Sequence, residues 1–394
     1  MSKIEELIQQ YCPDGVEYVK LGEIGIFYGG LSGKSKKDFV DGNAKFISYK
    51  NIFNNIALDI DTQERVKISP QEKQNTIEYA DVLFTGSSET PDECGMSSVL
   101  TRHTQEKLYL NSFCFGFRLH NKKLFLPDFL KHLFRSSELR AQIKKTANGT
   151  TRFNVSKAKF ALISIPIPPL EVQEEIVRIL DKFSLLTAEL EAELELRRKQ
   201  YDFYRNQLLS FDSDSDTVQW KKLGEVAEVC RGVRVVKKQL SDSGYPVFQN
   251  CLAPMGYFDK TNCKGETTYI ICAGAAGSIG YTKEDCWAAD DCQYIKCSGN
   301  IINKYIYYCL LTNQNILLSK VRKASIPRLS PNVIKDLSIP IPPLSEQQRI
   351  VDILDRFDAL VNDLSAGLPA EIEARRKQYE YYRDTLLTFK RKAE

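Results

Sequence analysis

The sequence predicts an α+β chain in which two mixed globular parts alternate with two long helices, one plan written twice. Three observations predict it. Ser164-Ile-Pro-Ile-Pro-Pro-Leu170 returns unchanged as Ser338-Ile-Pro-Ile-Pro-Pro-Leu344, and Arg197-Arg-Lys-Gln-Tyr201 returns as Arg375-Arg-Lys-Gln-Tyr379. Repeats so far apart mark a duplicated architecture. Behind each Pro-rich segment, apolar residues recur every three or four positions, the period of a buried helix stripe. Between the repeats lie short apolar runs broken by turn residues, the pattern of strands.

Taken in order, residues 1–14 form an N-terminal segment expected to pack near the C-terminal helix. Residues 15–163 form the first globular part and 164–211 the first long helix with its lead-in. Residues 212–216 are a linker, 217–337 the second globular part, and 338–394 the second long helix. In the first globular part, Lys45–Tyr49, Asp81–Phe84 and Tyr109–Leu119 read as strands, and Asp128–Lys144 as a helix. In the second, Tyr245–Phe248, Thr268–Cys272 and Gln293–Ile295 read as strands, and Lys304–Leu318 as a helix. A weaker echo, Lys20-Leu-Gly-Glu23 against Lys222-Leu-Gly-Glu225, opens each part.

The long helices start after Pro168-Pro169 and Pro342-Pro343, since proline lacks an amide donor and restricts the residue before it. The first stripe runs through Ile176, Leu180, Phe183, Leu186, Leu190, Leu194, Tyr201, Tyr204 and Leu208. The second runs through Ile350, Leu354, Phe357, Leu360, Leu364, Leu368, Ile372, Tyr379, Tyr382 and Leu386, with Gly367 and Pro369 marking a break and restart. Matching stripes predict that the helices pair. Thr187-Ala-Glu-Leu190 followed by Glu191-Ala-Glu-Leu194 is a small imperfect tandem repeat. Four residues advance a helix by about 6 Å and rotate it by about 400°, so length can change there with little change of face.

Composition narrows the chemistry. The chain has 394 residues, 43% hydrophobic and 27% charged, ordinary for a globular protein. No apolar run reaches the roughly 18 residues a spanning helix needs, and the start lacks the layout of a secretory signal, so a cytoplasmic location is expected. Eleven cysteines without a Cys-x-x-Cys pair, and no histidine beyond His132, point to free thiols rather than zinc ligands. The formal charge of +3 conceals an uneven distribution. Residues 15–163 hold 22 basic against 16 acidic residues and 217–337 hold 16 against 10, while each long helix is net acidic. Basic clusters fall at matching places: Lys34, Lys36 and Lys37 against Arg231, Arg234, Lys237 and Lys238, then Arg152, Lys157 and Lys159 against Lys320, Arg322, Lys323 and Arg328. Paired basic loops fit contacts to nucleic-acid phosphates.

Catalytic motifs fail on spacing. Gly29-Gly-Leu-Ser-Gly-Lys34-Ser35 resembles a phosphate-binding loop, but position 28 is Tyr28 where glycine is required. Gly274-Ala-Ala-Gly277-Ser-Ile-Gly280 lacks dinucleotide-binding spacing and reads as a tight turn. No amino-methyltransferase motif is present, and no Asp or Glu is followed two residues later by Lys, so the usual signature of metal-dependent nucleases is missing. His103, His120 and His132 have no evident triad partners. The chain reads as a binder. A nucleotide-dependent or DNA-modifying enzyme, and a coiled-coil adaptor that binds only proteins, are the alternatives.

The opening Ile4–Gly15, the Lys-Leu-Gly-Glu segment, the twin Ser-Ile-Pro-Ile-Pro-Pro-Leu segments and the twin Arg-Arg-Lys-Gln-Tyr helices together resemble the specificity (S, or HsdS) subunit of type I restriction-modification systems. The resemblance implies two α/β target recognition domains, each reading half of a bipartite, asymmetric sequence in double-stranded DNA. It implies an antiparallel coiled coil between them, with a pseudo-twofold internal repeat. It further implies two methyltransferase (M) subunits and added restriction (R) subunits as partners, with S-adenosylmethionine, ATP and magnesium carried by those partners and none by this chain. In one branch of the family, tandem four-residue repeats in the central helix set the spacer, and Thr187–Leu194 stands at the corresponding place. Polarity and loop position nominate Lys34, Lys36, Lys50, Asn51, Asn54, Asn148, Thr150 and Arg152 as DNA contacts in the first domain. In the second they nominate Arg231, Arg234, Gln249, Asn250, Ser278, Arg322 and Arg328.

Overall fold

The computed structural model describes residues 3–212 and 218–393. Residues 213–216 of the expected linker lie outside the described residues, as do Met1 and Ser2 of the N-terminal segment. The chain divides into two compact units: residues 1–189 with 372–394, and residues 190–371. Each unit therefore holds one globular part and stretches of helix from both repeats.

The same sheet is built in both. In the first unit, strands Gly25–Gly29, Cys114–Leu119, Val82–Thr85 and Ser97–Val99 stand side by side in that order, all antiparallel. In the second the order is Ala227–Arg231, Cys292–Cys297, Thr267–Ile271 and Ile279–Thr282, again antiparallel. A smaller sheet with one parallel pair flanks each: Ala44–Ile47 beside Leu108–Leu110, and Tyr245–Phe248 beside Trp287–Ala288. The turn Asn111–Phe113 divides the expected continuous strand Tyr109–Leu119 into members of two sheets. The expected helices also divide, into Pro127–Leu133 and Ser137–Lys144, and into Asn303–Thr312 and Gln314–Ser319.

The Pro-rich lead-ins prove to be strands. Ser164–Ile167 pairs antiparallel with Glu17–Lys20, and Ser338–Ile341 with Gln219–Lys222. Proline is tolerated because each ribbon has only two strands, so the missing donor faces no further ladder. These ribbons bring the first and last strands of each globular part together.

The central helix, Leu170–Leu208, has 39 residues and is about 58 Å long at 1.5 Å per residue. The second repeat is broken into Leu344–Asn362 and Leu368–Leu386. In the first unit Phe183 stacks on Tyr382 at 5.1 Å, and Ile176 and Leu180 share a core with Tyr379, Leu386 and Leu387. In the second, Tyr204 stacks on Phe357 at 5.4 Å, and Tyr201 and Leu209 share a core with Ile350, Val351 and Leu354. The central helix ascends from Phe183 to Tyr204 while their partners descend from Tyr382 to Phe357, the order of an antiparallel pair. The second stripe slips at its break: Leu360 and Leu364 are exposed, Leu364 by 83%, while Val361 is buried in their place. Helix ends at Asn362, where the Asp363 carboxylate accepts from the Ser365 and Ala366 amides, so Leu364 sits in a turn and not on a helical face.

The first unit's core centres on a cluster of phenylalanines, among them Phe84, Phe115, Phe117, Phe134 and Phe160. Ile4 and Cys12 join it together with Leu387 and Phe389. Gly15, at φ +103°, passes so close to Lys390 O that a Cβ would stand 2.6 Å from it. The Val16 amide donates to that same oxygen at 2.8 Å.

Candidate nucleic-acid interface

Each central sheet has one end where several loops meet, and the backbone builds this end alike in both units. The loop after the first strand is tied by Leu31 N to Leu110 O at 2.7 Å, and by Val233 N to Ala288 O at 2.9 Å. The turn before the second strand is tied by Asn111 N to Ile47 O at 3.0 Å, and by Ala289 N to Phe248 O at 2.9 Å. The residue after the third strand donates to that turn, Gly86 N to Phe113 O and Cys272 N to Asp291 O, at 2.7 Å in both. Its own carbonyl accepts from Val155 N in one unit and from Leu329 N in the other. A basic hairpin thereby docks on each end: Ala147–Val155, and residues 322–328 closed by reciprocal Arg322–Arg328 backbone bonds of 2.8 and 3.1 Å.

In the first unit these loops enclose an open groove of about 880 Å³, whose lining includes Tyr49, Lys50, Phe53, Phe113 and Arg152 and the carboxylates Glu89 and Glu93. Arg152 donates from Nε and a terminal nitrogen to Ser87 Oγ at 3.2 and 3.0 Å and lies 5.4 Å above the Phe113 ring. Its guanidinium is thus aimed while its residue stays exposed. Tyr49 stacks with Phe53 and donates to Ser87 O at 2.9 Å. The tip of the hairpin needs glycine, because at Gly149, φ +143°, a Cβ would lie 2.0 Å from Arg152 O.

Two half-buried arginines hold this end together from behind. Arg135 donates to Ser97 O and to Ile52 O and Phe53 O, capping the short helix Tyr49–Asn54. A cation at a helix C-terminus satisfies orphan carbonyls and complements the dipole. Burial pushes the Arg135 guanidinium down to about 10. Arg140 donates to Asp92 O, Cys94 O and Gly95 O. These cations count in the basic total but face the protein.

Residues 13–196 and 215–374 match the family described as type I restriction modification DNA specificity domain. The chain belongs to that family. It is 36% identical over 261 residues to the specificity subunit of the type I restriction enzyme EcoR124I/EcoR124II of Escherichia coli, a match covering 58% of this chain and 63% of that one. The chain thus spans just under two thirds of that relative. Its fold is similar to that of the S subunit of a type I restriction-modification system from M. genitalium, with TM-score 0.59 at 16% identity, covering 95% of this chain and 96% of that one. It is also similar to a chain from a structural study of complex assembly and conformational transition of the type I R-M system, with TM-score 0.61 at 20% identity, covering 95% and 98%.

Within this specificity-family chain, the nominated residues divide. Lys50 and Arg152 line the first groove, and Asn148 and Thr150 are exposed on its hairpin. Asn54 is exposed at the end of the Tyr49–Asn54 helix, and Lys36 is exposed on a short turn, Lys36–Phe39. Two nominations are corrected. Lys34 donates to Lys67 O and the Glu72 carboxylate, both at 2.6 Å, and its side chain is only 9% exposed. Hydrogen bonds from Lys34, Gln74 and the Ser69 amide hold Glu72 down at about 2. The lysine of the loop that resembled a phosphate binder is therefore already taken. Asn51 is spent on its own loop, donating to Asp59 O at 2.8 Å and accepting from Asp59 N at 3.1 Å.

In the second unit Arg231 ends the first strand and Arg234 follows on the tied loop. Gln249 and Asn250 follow Tyr245–Phe248, and Asn250 O accepts from Ala275 N at 2.9 Å. Ser278 stands in the turn Cys272–Ser278, and Arg322 and Arg328 are exposed on the hairpin. All seven residues gather at the one sheet end. Sequence reading missed Phe113 and the aromatic pair Tyr49 and Phe53. Phe113 was hidden inside what read as one strand, although Asn111-Ser-Phe113 carries a turn-former at its start. Among the described residues, no three His, Cys, Asp or Glu are grouped to hold a metal ion, and no helix is long and apolar enough to cross a membrane.

Proposed function

We propose that this chain is the DNA sequence-specificity subunit of a type I restriction-modification complex, with no reaction centre of its own. Each unit reads one half of a bipartite, asymmetric sequence in double-stranded DNA through the loop-bearing end of its central sheet. The observation that carries this reading is the duplicated sheet end: one backbone scaffold, twice fitted with exposed basic hairpins and different side chains. A shared scaffold with unlike side chains suits two half-sequences that differ. Methylation and cleavage belong to methyltransferase and restriction subunits, which carry S-adenosylmethionine, ATP and magnesium. The setting is the cytoplasm.

The test is methylation and band-shift analysis of the chain assembled with its methyltransferase subunits. One split sequence should be bound and methylated, and affinity should fall steeply with salt as phosphate contacts are screened. Sequence-indifferent methylation by that assembly would refute the proposal.

A further inference from the structure

The position occupied by Phe113 in the first unit and Asp291 in the second is fixed by the same backbone bonds. In both, its carbonyl accepts at 2.7 Å from the residue after the third strand, and its turn is closed by Cys114 N to Asn111 O at 3.0 Å or Cys292 N to Ala289 O at 2.9 Å. The scaffold is constant while the side chain changes from a ring to a carboxylate. Phe113 is 57% exposed in the groove with Arg152 over its ring, a large apolar surface left toward solvent. Asp291, at the same place in the second unit, is half-buried.

We propose that this turn position is a specificity determinant in both units: Phe113 makes apolar contact with a thymine methyl, and Asp291 accepts from the exocyclic amine of cytosine or adenine. The inference rests on the DNA-reading function proposed above and names the base chemistry each unit selects. Charge decides what these residues touch. A carboxylate at the same sheet end as Arg231, Arg234 and the 322–328 hairpin cannot serve a phosphate, which it repels, whereas base amines in the major groove are donors to it. A phenyl ring has no donor for a phosphate either, and the thymine C5 methyl is the apolar feature that the major groove offers. The neighbouring arginines and lysines supply the phosphate contacts that hold these side chains at the base edges.

The experiment is selection from a randomised duplex library by the chain assembled with its methyltransferase subunits, followed by sequencing, for the wild type and for Phe113→Ala, Phe113→Leu and Asp291→Asn. Phe113→Ala should lower the preference for a T·A pair at one position of one half-sequence by about fivefold or more, the low end for a lost base contact. Every other position should stay within about twofold, and Phe113→Leu should retain part of the preference. Asp291→Asn should alter one position of the other half-sequence and leave the first half untouched. Unchanged preferences, or a uniform loss across all positions including complete loss of binding, overturn the assignment. A wild-type assembly that selects no split sequence would instead sink the DNA-reading function itself.

Discussion

Asp181 and Asp355 are the same residue of the repeat, and they meet different donors. In the first unit His132 Nε2 lies 2.7 Å from the Asp181 carboxylate, and its Nδ1 lies 2.8 Å from the Tyr379 hydroxyl. Lys131 adds an ion pair at 2.9 Å. In the second unit Tyr308 donates to Asp355, with Lys304 at 3.6 Å. Burial depresses the His132 pKa, and the Asp181 hydrogen bond only partly opposes it. Burial alone would raise the Asp181 carboxyl, but His132 and Lys131 together hold it below the usual range. The sign follows from linkage. As pH falls through about 6.5 the unfolded chain binds a proton at His132 before the folded unit does, so stability present at pH 7.5 declines toward the depressed folded value. Hydrogen exchange should show protection around Pro127–Leu133 falling between pH 7.5 and 5.5 after correction for intrinsic rates. His132→Gln should flatten that fall. An equal fall in the variant would place the proton elsewhere.

At the scale of elements, one glutamine in each repeat fastens helix to sheet. Gln173, fully buried, accepts from Leu126 N at 2.9 Å and donates to Leu124 O at 3.0 Å and Pro168 O at 2.8 Å. Gln347 makes the same three bonds, to Ile302 N, Asn300 O and Pro342 O. Gln173→Leu keeps the volume and orphans one amide and two carbonyls. It should cost about 2–4 kcal/mol, read as a lower unfolding midpoint of the first unit. Helices were legible in the sequence because an apolar period of 3.6 needs no knowledge of partners. Of the stripe residues, Tyr204, Leu360, Leu364 and Tyr382 are exposed, Leu364 because a turn ends the period there. The strands of Ser164–Ile167 and Ser338–Ile341 were hidden because two prolines argue against strand unless the ribbon is known to have two strands. The candidate surface was half legible. Arg152, Arg328 and Asn250 announced themselves by charge and polarity, whereas Lys34 and Asn51 carry equally polar side chains that only tertiary contacts show to be occupied. Phe113 could not be separated from core phenylalanines, since exposure is not written in composition.

At the scale of the whole molecule, duplication was the plainest message of the sequence, yet the compact units do not follow the repeats. Each unit takes helix from both, because Phe183 pairs with Tyr382 and Tyr204 with Phe357. The division of the central helix falls between Glu189 and Leu190, inside the Thr187–Leu194 tandem. An extra Thr-Ala-Glu-Leu inserted after Leu190 adds about one turn of helix, about 6 Å. Under the proposed function it should change the number of unread base pairs between the half-sequences, by methylome sequencing, and leave both half-sequences as they were. A changed half-sequence with an unchanged gap would contradict the role assigned to this helix. The short ribbons joining Glu17–Lys20 to Ser164–Ile167 and Gln219–Lys222 to Ser338–Ile341 have a consequence for heredity. Under the proposed function, everything a unit uses to choose its bases is strung between two neighbouring strands, like a bead held by a clasp. A crossover between genes that falls within the clasp codons on either side exchanges the bead whole, so new sequence preferences can arise in one step without redesign of the helices that carry them.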